Sequence, residues 1–407
     1  MPLSATGGRR VPLVTLVSGC LALLTACAAN AQNPPSTPTP LVTPAELAAR
    51  GTDAARVRDS VTAVLGRALR DSAFPGGIAV VGTRTGIVAT VAVGTLDRAP
   101  GSPVPDENTL WDLASLTKVI ALTSAVMQLT HEGKLDLAAP VQRYVPEWTG
   151  PWKDRVTVRD LLTHSAGMPA WRPLYKETST REEAIRLVIG TPLETPPGQR
   201  MVYSDLGAIL MGQIVERVSH EPFDRYVATH LFDPLGMTST RFVPPAAWRS
   251  RIAPTEVDPW RQRHLQGEVH DENAARLGGV SSHAGLFSSA RDLSRFARAL
   301  LNGGVLDGTR VLDSATIRRF TTVQDPTISA RGIGWETANG NNSGGRQLSR
   351  RAFGHTGFTG TSLWIDPEQD VFVLLLTNRV NPTRENRRIG DVRISLADAV
   401  MKSMRRQ

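Results

Sequence analysis

β-Strand patterns occur near both ends of this 407-residue chain, and a long, mostly helical pattern separates them. Two β-branched runs, at residues 78–83 and 87–94, flank a Thr-Arg-Thr-Gly turn and predict a hairpin. Strand patterns return only late, at residues 332–336, 361–366 and 371–378. If these distant segments share one sheet, the middle of the chain must pack against that sheet as a separate lobe. This predicts an α/β fold of the α+β type: an antiparallel sheet flanked by helices, with an inserted, mostly helical lobe at about residues 115–320.

Helices are predicted on either side of these strand patterns. Apolar residues recur at helical spacing from Val57 to Ala68, and a last helix is predicted over residues 391–404. Residues 45–407, which follow the proline-rich stretch, are predicted to form one domain, and no internal repeat occurs in them. Hydrophobic residues make up 41% and charged residues 21% of the chain, which excludes wholesale disorder.

The N-terminus is typical of a secretion signal. Arg9 and Arg10 precede an apolar stretch at residues 11–26 that is too short to span a bilayer comfortably. We therefore predict a signal peptide at residues 1–26 and export from the cytoplasm.

Two cleavage sites compete behind this signal. The Leu-Thr-Ala-Cys sequence ending at Cys27 resembles a lipoprotein box, whereas the Ala-Asn-Ala sequence ending at Ala31 suits ordinary signal peptidase. We favour lipidation of Cys27 because this cysteine has no other evident use. Residues 27–44 then form a Pro/Thr-rich tether. The protein is expected in the periplasm or anchored by lipid to the outer membrane.

Cysteine usage and charge exclude several function classes. The two cysteines, Cys20 and Cys27, precede the folded domain, which therefore has no disulfide, thiolate metal site or cysteine nucleophile. The net charge is +8, but residues 379–407 hold eight basic against three acidic residues. Because no basic stripe with interleaved aromatic residues occurs, nucleic acid is not an expected partner. The basic C-terminal helix is interpreted as a solvated face, with attraction to anionic envelope polymers as the alternative.

Lysine is rare, since only five of the 46 basic residues are lysines. Lys118 completes the only Ser-x-x-Lys motif of the chain, which begins at Ser115 and opens a predicted helix. A spacing of three residues places the hydroxyl and the ammonium on one helix face. A partly buried lysine can supply the base that a serine nucleophile needs, and the helix N-terminus adds positive potential. Taken alone, the motif would also fit a capped helix with a surface lysine.

Two further motifs carry chemistry. Tyr203-Ser-Asp205 precedes a predicted amphipathic helix and places a phenol and a carboxylate at its start. The segment from His355 to Gly357 lies just before a strand pattern, where glycines allow close approach of the backbone to a ligand. Taken singly, Tyr203 would fit a core tyrosine and His355 a turn histidine.

In this order and spacing, the three motifs resemble the serine β-lactamase and penicillin-binding-protein superfamily, more narrowly its class C-type β-lactamase-related serine hydrolases. Four further stretches carry the resemblance: Glu132-Gly-Lys-Leu-Asp-Leu-Ala-Ala-Pro140, Leu161-Leu-Thr-His-Ser-Ala-Gly-Met168, Pro234-Leu-Gly-Met237 and Gly354-His-Thr-Gly-Phe-Thr-Gly360. The resemblance covers about residues 55–400. It implies a β-lactamase/transpeptidase-like fold.

The resemblance also implies a serine acyl-transfer site. Ser115 is expected to attack a carbonyl, while Lys118 and Tyr203 share the general base and acid work. The oxyanion is expected between the backbone N–H groups of Ser115 and of Phe358, a residue placed in the following strand. The expected substrate-binding residues are Asp205, His355, Thr356 and Gly357. No metal and no cofactor are expected.

Two departures from the family pattern bear on the substrate. His355 stands where hydrolytic β-lactamases of this type usually have lysine, and a neutral imidazole attracts a β-lactam carboxylate less strongly. Asp205 stands where penicillin-recognising members usually have asparagine, and an ionised aspartate cannot donate a hydrogen bond. Asp205 could instead pair with Lys118, keep it protonated and shift the base role to Tyr203.

The segment at residues 269–288 is a further candidate. In class C-like relatives the loop before the next helix walls the active site, so His270, Glu272 and His283 are candidate substrate-side groups. Structural hydrogen bonding within the loop is an equal alternative. A metal site is the least favoured interpretation, because the spacing matches no known ligand pattern.

The sequence therefore predicts an exported, monomeric serine hydrolase that acts on an ester or amide. The substrate class is a small ester, a D-amino-acid peptide or another peptidoglycan-derived molecule. A class C-like β-lactamase or a DD-carboxypeptidase is the alternative within the class. A penicillin-binding sensor lipoprotein that does not hydrolyse its ligand is the alternative from another class.

Overall fold

The fold is built on a sheet that joins the two ends of the described chain. The computed structural model describes residues 39–339 and 342–404. The strands in these residues are β1 (Gly76–Gly82), β2 (Ile87–Gly94), β3 (Leu110–Asp112), β4 (Arg241–Phe242), β5 (Val257–Asp258), β6 (Arg263–His264), β7 (Leu286–Ser289), β8 (Val305–Leu306), β9 (Thr309–Arg310), β10 (Glu336–Thr337), β11 (Phe353–Thr356), β12 (Ser362–Asp366) and β13 (Val371–Thr377).

The α-helices lie before, between and after these strands. They are α1 (Pro44–Arg50), α2 (Ala54–Arg70), α3 (Ser124–His131), α4 (Val158–Leu162), α5 (Leu174–Glu177), α6 (Arg181–Gly190), α7 (Asp205–Ser219), α8 (Phe223–Val227), α9 (Glu272–Arg276), α10 (Ala290–Leu301), α11 (Ser314–Thr321) and α12 (Ile389–Met404). Within the described residues, no helix is both long and apolar enough to cross a membrane.

The central sheet has six antiparallel strands in the order β10–β11–β12–β13–β1–β2. β1 and β2 form the predicted hairpin, and β1 also pairs with β13, so that Val80 lies opposite Leu374. The prediction of one antiparallel sheet assembled from distant segments is confirmed.

Side chains of β1 alternate between two cores, as a strand buried on both faces requires. Ala79 and Val81 belong to a core formed with α2 and α12, whereas Ile78 and Val80 belong to the larger core of the helical lobe. The buried residues of α2 recur at the predicted helical spacing, and Asp53 caps this helix by accepting a hydrogen bond from the Ala55 N–H at 2.9 Å.

The lobe inserted between β2 and β10 packs on the sheet through α10, which contacts β1 and β13. Helices α3 to α11 belong to this lobe, so the predicted helical insert is confirmed. It also contains a small sheet in the order β3–β7–β4, which the hydrophobic pattern does not indicate because these strands are only two to four residues long.

One predicted strand is displaced. Only Glu336 and Thr337 pair in the sheet, because the backbone of residues 332–334 bonds within its own turn and to the helical lobe: Ile333 N–H donates to Phe320 O and Gly334 N–H to Leu162 O. A strand that the sequence pattern does not predict, β11, carries His355 and Thr356 instead. Its Phe-Gly-His-Thr sequence lacks apolar alternation, and its pairing with β12 holds it in the sheet.

The predicted signal peptide, Cys27 and the tether up to residue 38 lie outside the described residues.

Candidate active site

Ser115 lies at the end of a short, bent connection from β3. Ala114 has a φ of +45°, a left-handed conformation that residues with a Cβ rarely adopt. The Asp112 carboxylate supports this bend by accepting a hydrogen bond from the Ala114 N–H at 2.8 Å. The chain is helical from Leu116, with one π-helical segment at Lys118–Thr123 leading into α3, so the predicted helix is present. π-Helical turns are rare and often mark functional sites.

The Lys118 ammonium is buried and surrounded by three oxygen atoms. Nζ donates to Ser115 Oγ at 3.0 Å and to the His283 carbonyl oxygen at 2.9 Å. It also lies 2.7 Å from Asp205 Oδ1, and this contact is the ion pair considered from the sequence.

The electrostatic surroundings keep Lys118 charged. Burial by itself lowers the pKa of this lysine, but the negative charge of Asp205 and the nearby Tyr203 oxygen outweigh burial and raise the pKa above its ordinary value. In the free protein Lys118 is therefore a cation that donates to Ser115 Oγ.

Tyr203 and Asp205 are placed by the start of α7. Ser204 caps this helix, since its Oγ accepts a hydrogen bond from the Gly207 N–H at 3.1 Å and donates to the Pro169 carbonyl at 2.6 Å. Within the described residues, Tyr203 Oη is buried and has no hydrogen-bond partner. Two cations face its ring: Lys118 Nζ lies 5.0 Å and the Arg331 guanidinium 5.6 Å from the centroid.

His164 makes three contacts that position Tyr203, one to its ring and two to the backbone of its neighbours. Its carbonyl accepts a hydrogen bond from Val202 N–H at 2.8 Å, and its Nδ1 accepts one from Ser204 N–H at 3.1 Å. Its ring lies 4.5 Å from the Tyr203 ring, centroid to centroid. Burial, with the positive charge of Arg331 and Lys118 nearby, lowers the pKa of His164 well below its usual range, so the imidazole is neutral. The sequence analysis quoted this histidine in a family stretch but assigned it no role.

His355 is a second neutral histidine beside Tyr203, at 5.8 Å between ring centroids. Its Nδ1 lies 2.8 Å from the Thr356 carbonyl, which can only accept, so the proton is on Nδ1. Burial and the positive charges of Arg331 and Lys118 lower the pKa of His355 well below its usual range. Its Nε2 is buried with no partner in the described part of the chain.

Two backbone N–H groups belong to residues that line the same cavity, Ser115 and Phe358. In the described residues, neither the Ser115 N–H nor the Phe358 N–H donates a hydrogen bond to the protein. Phe358 lies in the turn after β11, not in a strand as expected, because Gly360 N–H closes this turn on the Gly357 carbonyl at 3.1 Å. Thr359 Oγ1 donates to the Asp112 carbonyl at 2.6 Å, which ties the turn to the segment before Ser115.

These groups open onto a cavity of about 640 Å³. Ser115, Tyr203 and the His355–Phe358 segment line one part of it. The charged lining residues are Arg331, Arg379, Arg393 and Glu336. Three guanidinium groups against one carboxylate make this cavity cationic.

The profile of the family described as Beta-lactamase matches residues 58–397. The chain belongs to the β-lactamase family. It is 34% identical over 315 residues to a Salmonella agona protein named "Putative D-alanyl-D-alanine carboxypeptidase", covering 70% of this chain and 72% of that protein. The family and these relatives make the protein a serine hydrolase.

Solved structures with this fold agree with the family. A penicillin-binding protein homolog from Caulobacter crescentus superposes with a TM-score of 0.70 at 22% identity, covering 85% of this chain and 97% of its own. The hydrolase EstCE1, described as having promiscuous acyltransferase activity, superposes with a TM-score of 0.69 at 21% identity, covering 86% and 99%.

In this member of the β-lactamase family, three candidates from the 269–288 segment do not line the cavity. His270 is buried: its Nε2 lies 2.9 Å from Glu256 Oε2, and its ring stacks on Phe358 at 5.7 Å. Glu272 accepts a hydrogen bond from Arg384 at 2.7 Å. The expectation that these side chains face the substrate is therefore corrected, because both are occupied by structural partners and neither lines the cavity.

His283 is also buried, with its ring between Ser281 Oγ at 2.6 Å and Asp271 Oδ1 at 3.0 Å. Its contribution to the site is its carbonyl, which accepts from Lys118. Carboxylate oxygens of Asp205 and Asp271 and a ring nitrogen of His283 lie within 4.8 Å of one another. Asp205 pairs with Lys118 and Asp271 with His283, so these donors are already occupied.

Proposed function

We propose that the protein is a serine peptidase of the D-alanyl-D-alanine carboxypeptidase type, which cleaves a peptide that ends in a free carboxylate. The observation that carries this proposal is the Lys118 ammonium, which bridges Ser115 Oγ and Asp205 beside a cationic cavity. A hydroxyl aimed at a cavity next to proton-transfer groups is what nucleophilic catalysis requires.

Because Lys118 is charged, Lys118 and Tyr203 are proposed to have different roles in proton transfer. A lysine with a raised pKa already carries its proton, and it could serve as the base only after losing that proton and with it the ion pair to Asp205, so Tyr203 is proposed to accept the serine proton. To accept a proton Tyr203 must act as its phenolate, and the two cations facing its ring would stabilise the negative oxygen of that form; among the described residues this oxygen has no competing partner. Lys118 then acts as a fixed cation and as the relay that returns a proton to the leaving amine.

The proposed reaction forms and breaks an acyl-enzyme. Ser115 Oγ attacks the peptide carbonyl, and the Ser115 and Phe358 N–H groups hold the oxyanion. Collapse of this intermediate breaks the C–N bond, and the amine leaves with the proton taken from serine. Water then attacks the ester and returns Ser115 with a proton on its oxygen.

The cavity supports a substrate with an anionic end. Arg331, Arg379 and Arg393 supply positive charge, and the neutral His355 leaves that task to them. The name of the Salmonella agona relative supports a peptide with a terminal D-amino acid.

The test compares wild type with Ser115→Ala and with Ser329→Ala, which removes another hydroxyl that lines the cavity. A D-alanyl-D-alanine peptide, p-nitrophenyl acetate, nitrocefin, a fluorescent penicillin and a fluorophosphonate serve as probes. We expect wild type and Ser329→Ala to release D-alanine and Ser115→Ala to release none.

Each other outcome contradicts a stated part of the proposal. Turnover of the ester without release of D-alanine indicates an esterase, and turnover of nitrocefin indicates a β-lactamase. Penicillin labelling without any turnover indicates a sensor. If neither a fluorophosphonate nor the penicillin labels Ser115, the nucleophile itself is wrong.

We also propose export through the signal peptide at residues 1–26, lipidation at Cys27 and a monomeric state. These stay predictions from the sequence. Labelling of cells with radioactive palmitate should mark wild type but not Cys27→Ser, and light scattering of the soluble domain should give the mass of one chain. Labelling of both proteins would favour another attachment site, and labelling of neither would favour cleavage after Ala31.

A further inference from the structure

Three aromatic side chains form a continuous row on the surface beside the active site. Tyr175 lies between two tryptophans: its ring centroid is 6.5 Å from Trp171 and 4.9 Å from Trp260. Trp171 is 47% and Trp260 38% exposed, although tryptophan is usually much more buried. We call these three residues the aromatic row.

Both ends of the aromatic row connect to segments that adjoin the site. Trp171 follows Ala170, whose carbonyl accepts a hydrogen bond from Asp205 N–H at 2.9 Å. Trp260 precedes Arg261, whose guanidinium donates to the His270 carbonyl at 2.7 Å, and the His270 ring stacks on Phe358. None of the three aromatic residues lines the cationic cavity. The row therefore lies outside this cavity, on segments that adjoin Asp205 and His270.

Hydrogen bonds and a cation–ring contact position the segment of Tyr175 and the ring of Trp260 in the protein without a ligand. Asn273 is buried, accepts a hydrogen bond from Tyr175 N–H at 3.2 Å and donates to the Arg172 carbonyl at 2.8 Å. The Arg276 guanidinium donates to the Tyr175 carbonyl at 3.0 Å and also lies 5.8 Å from the Trp260 ring centroid. A preformed arrangement lowers the conformational cost of binding.

We propose that the aromatic row binds sugar rings of a glycan chain that carries the peptide substrate. This inference rests on the proposed function. A peptide whose terminal carboxylate sits in the cationic cavity, with its scissile carbonyl at Ser115, must extend out of that cavity at its other end. In a peptidoglycan fragment the sugars lie at that other end.

The chemistry of the row suits a sugar. The apolar C–H face of a pyranose ring packs on an exposed aromatic ring, while its hydroxyl and acetamido groups need polar neighbours. Cations lie over two of the three rings, with Lys176 Nζ 5.5 Å from the Tyr175 centroid and Arg261 5.4 Å from the Trp260 centroid, and can supply hydrogen-bond donors to these polar groups. Three half-covered aromatic side chains expose on the order of 300 Å², less than the roughly 800 Å² per partner of a stable protein interface.

The binding test uses the full protein with the Ser115→Ala change and N-acetylchitotetraose, a soluble glycan without peptide. Binding is measured by tryptophan fluorescence and calorimetry. We expect Trp171→Ala combined with Trp260→Ala to weaken the association constant about tenfold or more. Trp171→Ala alone should weaken it by a smaller factor, and thermal melting checks that each variant is folded.

Trp152→Ala is the matched control, because Trp152 is 39% exposed but belongs to a different segment. It should bind the glycan like the parent protein. Equal weakening by Trp152→Ala, or no effect of the double change, would overturn the proposal.

A kinetic test links the aromatic row to the reaction. Wild type should have a lower KM for a disaccharide-linked stem peptide than for the free peptide. The double tryptophan change should remove that difference in KM. It should leave kcat/KM for the free peptide unaltered. An unchanged difference would contradict the role of the row. The glycan binding result does not depend on hydrolysis, so failure of the proposed peptidase activity and failure of the glycan site give different results.

Discussion

Two charged clusters, one around Glu256 and one around Lys118, differ in how completely their polar atoms are paired. Around Glu256, the carboxylate receives Arg384 N–H at 2.9 Å and Arg384 Nε at 2.7 Å, and it contacts His270 at 2.9 Å. Around Lys118, the ammonium is paired but Tyr203 Oη and His355 Nε2 are buried without partners in the described residues.

This difference distinguishes a cluster that stabilises the fold from a cluster that acts in catalysis. A buried charged cluster whose members all have partners holds segments together, here the C-terminal segment at Arg384 and the loop at His270. A buried polar atom without a partner costs free energy and persists in a site where a substrate supplies the missing partner. The comparison therefore predicts that changes at Lys118 alter activity and changes at Glu256 alter stability.

The largest expected effect is that of Lys118→Met. Loss of the cation that contacts Ser115 Oγ should lower kcat/KM by about a thousandfold or more. Lys153→Met is the matched control, because Lys153 is also buried and donates to the Ile189 carbonyl at 2.8 Å, but it does not line the cavity. Steady-state kinetics on both variants would contradict the comparison if they lost similar activity.

Glu256→Gln should affect stability instead. Removing the charge from a buried, paired carboxylate should lower the free energy of unfolding by about 3 kcal/mol at pH 7, while kcat/KM stays within about threefold. Urea unfolding gives the first value. Glu268→Gln is the control, since Glu268 pairs with Arg263 at the exposed surface and should cost less than about 1 kcal/mol.

The pH dependence of unfolding sharpens this prediction. Burial raises the pKa of Glu256, but hydrogen bonds from His270 and Arg384 outweigh it and hold the pKa at about 2. A lowered folded-state pKa stabilises the protein above the unfolded value of 4.5, and this contribution is lost as pH falls from 4.5 towards 2. The free energy of unfolding of Glu256→Gln should therefore fall less than that of wild type over this pH range. If both proteins lose the same amount of stability, other carboxyl groups cause the loss.

Asp205→Asn tests why Lys118 stays charged. The Asp205 carboxylate raises the pKa of Lys118 against burial, so its loss should lower that pKa and move the alkaline limb of the kcat/KM profile to lower pH. We expect kcat/KM at neutral pH to fall about tenfold. A rise in activity would instead assign the base role to Lys118, and an unchanged profile with unchanged substrate preference would show that the ion pair has no role in catalysis.

His164→Asn is expected to have the smallest effect. Asparagine tolerates the left-handed φ of +59° at this position, so the change removes the ring contact to Tyr203 without backbone strain. Loss of about 1 kcal/mol from the contact that positions Tyr203 should lower kcat about fivefold. His220→Asn is the control, because His220 has a φ of +60° at the exposed end of α7. Equal losses in both variants would indicate a general effect on folding.

The sequence predicts the chemical groups well where the signal is local. Ser115 and Lys118 are three residues apart on one helix, so their contact follows from helical geometry, and the start of α7 places Tyr203 and Asp205 next to each other. The hairpin, α2 and α12 follow equally from short-range periodicity. The strand that carries His355 does not, because pairing with β12 holds a segment that lacks a strand pattern.

Which residues can carry the chemistry was thus determined by the sequence itself: one Ser-x-x-Lys motif, one tyrosine before an aspartate, and a histidine between glycines. Only the tertiary structure decided their charge states and which histidines reach the cavity. Asp205 raises the pKa of a lysine 87 positions earlier in the chain, and His270 and His283 are buried and do not line the cavity that they were expected to face. Burial and electrostatic interaction depend on distance in space, and spacing along the chain determines that distance only within a single helix or turn.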